Sequence, residues 1–286
     1  MLSRILFPVD FSPQCTAMAD YVSAMARGTH AQLIVLHVME YPPWWYGETD
    51  AARFSALVDV TVMRERRQEV LNSYLEHELG SCRPLRLLAQ GDPATEIVRC
   101  AEREDVSLVM MPTHGSGAFR SLLLGSVAAK VIHDAPCPVW SNAHSEHVVP
   151  ARYPAQSVIS AVDLSAGTSE VIRWASRFAK EQNARLHAVH AIAVEGEAMN
   201  EGLVKVREHL NQLAREEWAK LQKDLGSNLP LVVSFGPVGA AMRRAAHDLD
   251  ADVVIIGRGH LSAPVGRLRT SSYAIIRESP CPVIRV

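Results

Sequence analysis

Pro112-Thr113-His114-Gly115-Ser116-Gly117-Ala118-Phe119-Arg120-Ser121-Leu122-Leu123-Leu124-Gly125-Ser126-Val127 separates two readable elements. Before it runs Ser107-Leu108-Val109-Met110-Met111, short and apolar, the pattern of a buried strand. After it, Ser126-Val127-Ala128-Ala129-Lys130-Val131-Ile132 reads as a helix with Ser126 as its N-cap. A strand, a glycine-containing loop and a capped helix in that order can hold an anion. The loop's N–H groups converge on a phosphate, and the helix N-terminus adds favourable partial charge. The expectation is a loop that holds nucleotide phosphates.

The same frame occurs twice. A shift of 153 residues lays Pro8-Val9-Asp10-Phe11-Ser12 over Ala161-Val162-Asp163-Leu164-Ser165, and residues 31–38 over 184–191. A slightly smaller shift matches Gly91 with Gly236, Ala101 with Ala246 and Asp105 with Asp250. Both halves finish on Pro-Cys-Pro-Val, at 136–139 and 280–283. The 286 residues are therefore a tandem duplication of a unit of about 140 residues. Two domains are expected, 1–143 and 156–286, with the polar, proline-bearing stretch from His144 to Ala155 as linker.

Within the first unit, strands are expected at 3–10, 31–39, 84–90, 106–112 and 137–142. Helices are expected at 13–28, about 52–80, 93–104 and 123–134. In the second of these helices the period shows in Val70, Leu71, Tyr74 and Leu75. The second unit repeats the plan, with strands near 156–163, 184–193, 229–235, 252–257 and 282–286. Alternation of strand and helix gives right-handed crossovers and a parallel sheet covered on both faces, a doubly wound α/β fold. The last strands should lie at sheet edges, where an unpaired ladder invites pairing. Leu203, Val206, Leu210, Leu213, Leu221 and Leu225 form a near-heptad stripe expected to pack on its own sheet. Tyr41-Pro42-Pro43-Trp44-Trp45-Tyr46-Gly47 reads as a covering loop, a subunit contact or a lid.

Composition narrows the function classes. A formal net charge of −2 gives no broad basic field for nucleic acid. No apolar run approaches the ~18 residues of a membrane span. The first ten residues read as a strand, not a signal peptide. Five cysteines without a CxxC pair fit a reducing compartment, so the cytoplasm is expected. There is no GxxxxGK[ST] loop and no GxSxG elbow. His187 and His190 should face opposite sides of a strand, which makes them poor joint metal ligands.

Ligands of an open parallel sheet bind beyond the carboxyl ends of its strands, where strand order reverses. Asp10 ends the first strand and the 112–126 loop follows the fourth, so the two flank one crevice if those strands are neighbours. Asp10 can accept hydrogen bonds from a base or ribose, or support a metal ion; alone, it also fits a turn and helix cap. Gly115 and Gly117 allow close backbone approach, Ser126 offers a hydroxyl and an N–H, and Arg120 adds charge.

With these residues in place, the chain resembles the universal stress proteins, whose nucleotide-binding members carry a strand-end Asp and a loop G-x2-G-x9-G-[ST]. Gly115, nine residues and Gly125-Ser126 match its later part, and Pro112 stands at the first glycine. Pro112 removes one N–H donor. The likeness extends to Pro8-Val9-Asp10-Phe11-Ser12, His37-Val38, 122–128 and Pro136-Cys137-Pro138-Val139, and covers both units. It implies five-stranded sheets of order 3-2-1-4-5, ATP with Mg²⁺ as ligand, and contacts at Pro8, Val9, Asp10, Val38, Gly115, Gly125, Ser126, Val127 and Ala128. It also implies pairing of the two domains, or a homodimer, through the last strands. In the second unit Asp163 and Gly257 remain. His260 and Arg269 replace the later glycines, Thr270 replaces Ser126, and Arg258 and Arg267 add charge, so that loop reads as degenerate.

The expected function is an ATP-binding stress-response regulatory module, with the nucleotide in the first unit. The alternatives are slow ATP hydrolysis or self-phosphorylation at Ser126 or Ser116, and a nucleotide-free interaction scaffold.

Overall fold

A computed structural model of the chain describes residues 2–40, 50–113, 124–142, 153–194, 201–258 and 270–286. Outside the described residues lie Gly115, Gly117, Arg120, the aromatic stretch 41–47, residues 144–152 of the linker, and His260, Arg267 and Arg269 of the second loop. The described residues form two compact bodies.

In the first body the elements run β1 (Arg4–Val9), α1 (Pro13–Thr29), β2 (Gln32–Met39), α2 (Asp50–Ser73), α3 (Glu76–Leu79), β3 (Leu85–Gln90), α4 (Pro93–Arg103), β4 (Leu108–Pro112) and α5 (Ser126–Asp134). The sheet order is β3-β2-β1-β4, all parallel, and the strand at Val139–Asn142 takes the fifth place of the expected 3-2-1-4-5 order. β1 and β2 pair from Arg4↔Gln32 to Val9↔His37, and β1 meets β4 at Ile5↔Leu108 and Leu6↔Val109. β1, β2 and β4 are almost wholly buried, as strands covered on both faces must be.

Local sequence explains the helices. Ser12 caps α1 by accepting from the Cys15 N–H, and Pro13 fills the first turn. Cys15, Met18, Ala19, Val22, Met25 and Ala26 recur at helical spacing and form its buried stripe. The helix stops at His30 in the left-handed conformation, φ 54°, with its N–H on the Ala26 and Arg27 carbonyls. Asp92 and Pro93 start α4 in the same way, after Gly91 turns the chain at φ 147°, a conformation that favours glycine.

The single helix expected over about 52–80 is divided. α2 stops at Ser73, Leu75 turns left-handed at φ 53°, and α3 and a 3₁₀ turn (Gly80–Cys82) follow. The cause is Arg86, whose Nη1 donates to the carbonyls of Leu71 and Tyr74 at 2.8 and 2.6 Å and satisfies the helix end from the side. Leu71 and Leu75 are buried, whereas Val70 is 48% exposed and lies outside the stripe.

The second body contains β5 (Val139–Asn142), β6 (Ser157–Ala161), α6 (Thr168–Gln182), β7 (Arg185–Ile192), α7 (Glu201–Leu225), β8 (Leu231–Phe235), α8 (Val238–Asp248), β9 (Val253–Ile256), α9 (Thr270–Glu278) and β10 (Val283–Arg285). Its own five strands take the order β8-β7-β6-β9-β10, the 3-2-1-4-5 arrangement. β10 is not at an edge. It pairs in parallel with β9 and in antiparallel with β5, through Val283↔Ser141, Ile284↔Trp140 and Arg285↔Val139. The stripe on α7 packs only in part. Trp218 joins Val162, Ile172, Ala188 and Leu231 in a core with Leu221 and Leu225 against it, while Val206 and Leu213 stay exposed. Among the described residues no helix is long and apolar enough to cross a membrane.

Candidate functional site at the carboxyl end of the first sheet

β1 has β2 on one side and β4 on the other, so the strand order reverses at β1. Carrying the β1–β4 register forward puts Val9 level with Pro112 and Asp10 level with Thr113. The chain then returns to this strand end, because the Gly125 N–H donates to the Thr113 carbonyl at 2.9 Å. The first turn of α5 is thereby anchored beside the ends of β1 and β4.

The predicted residues distribute as follows. Pro8, Val9 and Pro112 are buried, so only their backbone can face a ligand. Asp10 is exposed at the end of β1, and Val38 is half-buried in β2. Ser126 is exposed, Val127 half-buried and Ala128 buried. Ser126 is not the N-cap of α5. Gly125 holds that place with extended backbone, φ −58° and ψ 145°, and its carbonyl accepts from the Ala129 N–H at 2.8 Å. Ser126 is the first helical residue, so its own N–H is one of the groups a helix leaves unpaired within itself. The φ and ψ of Gly125 are open to any residue, so conformation does not require a glycine there.

Asp10 is held from its own helix. Its Oδ1 accepts from the Ser12 N–H at 3.0 Å and from the Cys15 thiol at 3.2 Å. Phe11, between Asp10 and the cap, has φ 61° and turns its ring onto His37, centroids 4.3 Å apart. Tyr74 meets Phe11 edge-on at 4.8 Å, and the Arg67 guanidinium lies 5.5 Å from the ring centroid. His37 Nδ1 is 2.7 Å from the Val9 carbonyl. A carbonyl only accepts, so Nδ1 carries the proton. Burial, opposed by that hydrogen bond and reinforced by the Arg67 charge, lowers the His37 pKa and favours the neutral ring.

Cys15 and Arg67 carried no expectation at this site, Tyr74 only a place in a helical period, and Phe11 and His37 only a place in a motif. The 153-residue shift held a usable signal. It lays Cys15 on Thr168 and His37 on His190, and the second repeat has the same devices. Asp163 Oδ1 accepts from the Ser165 N–H and hydroxyl at 3.0 and 2.6 Å and from the Thr168 hydroxyl at 3.1 Å. His190 Nδ1 is 2.8 Å from the Val162 carbonyl, and Leu164 repeats the left-handed turn at φ 58°. Burial would raise the Asp163 pKa, but the Ser165 and Thr168 hydrogen bonds outweigh it and hold the carboxyl below its ordinary value. Among the described residues no three His, Cys, Asp or Glu side chains converge as a metal cage.

The universal stress protein family model matches residues 1–141 and again 155–286. The chain belongs to this family. Universal stress proteins similar to its halves include that in the QAH/OAS sulfhydrylase 3′ region of Thermus aquaticus, 34% identical over 139 residues, which are 49% of this chain and 97% of the relative. One from Methanothermobacter thermautotrophicus is 29% identical over 143 residues, 49% of this chain and 94% of the relative. The crystal structure of a universal stress protein from Archaeoglobus fulgidus covers 99% of this chain and 95% of its own, with TM-score 0.65 at 21% identity, a likeness of fold. Membership explains why a chain with two Usp repeats carries two strand-end carboxylates in matching clamps.

Proposed function

We propose that this universal stress protein is an ATP-binding regulatory module with two domains, 1–143 and 156–286, and that the nucleotide binds the first. The observation that carries the reading is the Gly125–Thr113 hydrogen bond. It gathers an exposed carboxylate, two buried strand ends and the start of a nine-residue helix at the point where strand order reverses. In this reading Asp10 and the Val38 backbone take the base and ribose, and the Pro8 and Val9 backbone borders them. Gly125, Ser126, Val127 and Ala128 present N–H groups to the phosphates, with Gly115, Gly117 and Arg120 completing the cradle and Pro112 setting its start. Such a donor set fits an anion. Mg²⁺ travels on the phosphate oxygens and keeps several waters, so it needs no protein cage.

Occupancy stabilises one conformation or assembly of the chain, including a homodimer, and no catalytic base is required. The five cysteines are thiols and not disulfides, which suits the reducing cytoplasm. Calorimetric titration with ATP and Mg²⁺ tests the reading, with Gly115→Val and Gly125→Val as controls. Saturable heat from the unmutated chain, lost in the variants, supports it; no saturable heat overturns it and leaves a scaffold. Phosphate release, or label retained on Ser126, well above an Asp10→Ala control would instead make the protein a slow enzyme.

A further inference from the structure

Cys15 lies on the first turn of α1 and is 1% exposed. Its Sγ has two acceptors in range, Asp10 Oδ1 at 3.2 Å and the Pro8 carbonyl at 3.9 Å. A thiol has one proton, and the nearer acceptor is the ionised one, so the proton goes to the carboxylate. Burial, followed by the Asp10 charge, pushes the thiol up to about 12, so the proton stays on sulfur at neutral pH. At the matching position of the second repeat the residue is Thr168, whose hydroxyl donates to Asp163 Oδ1 at 3.1 Å. A backbone N–H two residues beyond the acid donates to that same oxygen in each repeat, from Ser12 and from Ser165, both at 3.0 Å. An apolar side chain would fill a buried position of this size equally well. What the two residue types share is a proton to give.

We infer that Cys15 is a positioning residue: its thiol holds the Asp10 carboxylate in the orientation in which it meets the nucleotide, the task Thr168 performs for Asp163. The inference deepens the ATP reading and rests on it for its consequence. A carboxylate fixed before the ligand arrives loses less freedom on binding. Thiol chemistry plays no part, since the group is buried and protonated.

Two measurements on the full chain test it. Cys15→Val removes the donor at nearly constant volume and should weaken ATP binding about five- to tenfold, the factor for one lost hydrogen bond, at an unchanged far-UV spectrum. Cys15→Thr should restore affinity to within about twofold of the unmutated chain. A folded Cys15→Val chain that binds ATP like the unmutated one overturns the inference. The second measurement needs neither nucleotide nor a folded Val variant. In the infrared, Asp10→Ala should move one S–H stretching band to higher frequency, and Cys15→Thr should remove that same band. A band that Asp10→Ala leaves in place also overturns the inference. Absence of ATP binding with a band that does move overturns the ATP reading alone.

Discussion

At the scale of single residues, Gly125 caps a helix on an ordinary backbone conformation. Its φ and ψ suit any residue, but it caps α5, so Gly125→Ala should leave the fold intact and cost about 0.5–1 kcal/mol, alanine being the poorer N-cap. The proposed ATP site predicts a loss of affinity as well, because the added carbon would crowd the N–H groups offered to the phosphates. Paired urea melts and calorimetry check both signs. His37 gives a pH prediction. Its folded pKa lies below the ordinary 6.5, so the unfolded chain binds the proton more readily. The His37 contribution is complete above pH 6.5 and is lost as pH falls through the lower folded value. Burial shifts His187 in the same direction. Urea stability of the unmutated chain should therefore drop between pH 7 and pH 5, and His37→Asn should flatten the slope; an unchanged slope would remove His37 from the account. The strand-end Asp10 and the exposed Ser126 were legible as residue types. The Phe11–His37–Tyr74–Arg67 cluster was not, because it joins four side chains across 63 positions of sequence and no local period links them.

At the scale of elements, starts were readable and stops were harder. Ser12-Pro13 and Asp92-Pro93 announce α1 and α4, since cap and first-turn residue are neighbours in sequence. The end of α2 is imposed by Arg86, a residue of the next strand, and nothing local announces it. His30 ends α1 in a conformation costly for a side chain, so His30→Gly should raise stability by about 1 kcal/mol, read as a higher melting temperature. α5 is tied to the start of α4 by Lys130, which donates to Asp92 at 3.0 Å and to Thr95 at 2.9 Å. Hydrogen bonds from Thr95, then Lys130, hold the Asp92 carboxyl down at about 2. The sign follows from that depression: its stabilisation is present above about pH 4 and disappears as pH falls through about 2. Both side chains are half-exposed, so solvent screening keeps the pair below about 1 kcal/mol. Asp92→Asn keeps a capping side chain and should show that small deficit at pH 7 and a shrinking one as pH falls from about 4 towards 2; a deficit that ignores pH would assign it to the cap.

At the scale of the molecule, the duplication was the most legible feature, because ordered matches accumulate along 286 residues while each alone is weak. The parallel order of the strands followed from the alternation of elements. That the last strands would pair came only from the family resemblance, since the short apolar runs at 137–142 and 282–286 carry no mark of their partner. Ile284 sits in the middle of a three-residue strand with neighbours on both sides, so Ile284→Pro removes a ladder donor from an interior position. It should cost about 3 kcal/mol or more, seen as an earlier urea midpoint. That seam has a consequence for dissection of the gene. β5 holds the fifth place in the first repeat's strand order yet counts with the second body, where it pairs with β10, so the boundary between coding repeats and the boundary between folded bodies do not coincide. A cut in the linker would strip β10 of a neighbour and leave its edge to be satisfied by another copy. The half-gene product should thus associate in proportion to its concentration, whereas in the intact chain the same ladder closes within one polypeptide and is indifferent to dilution.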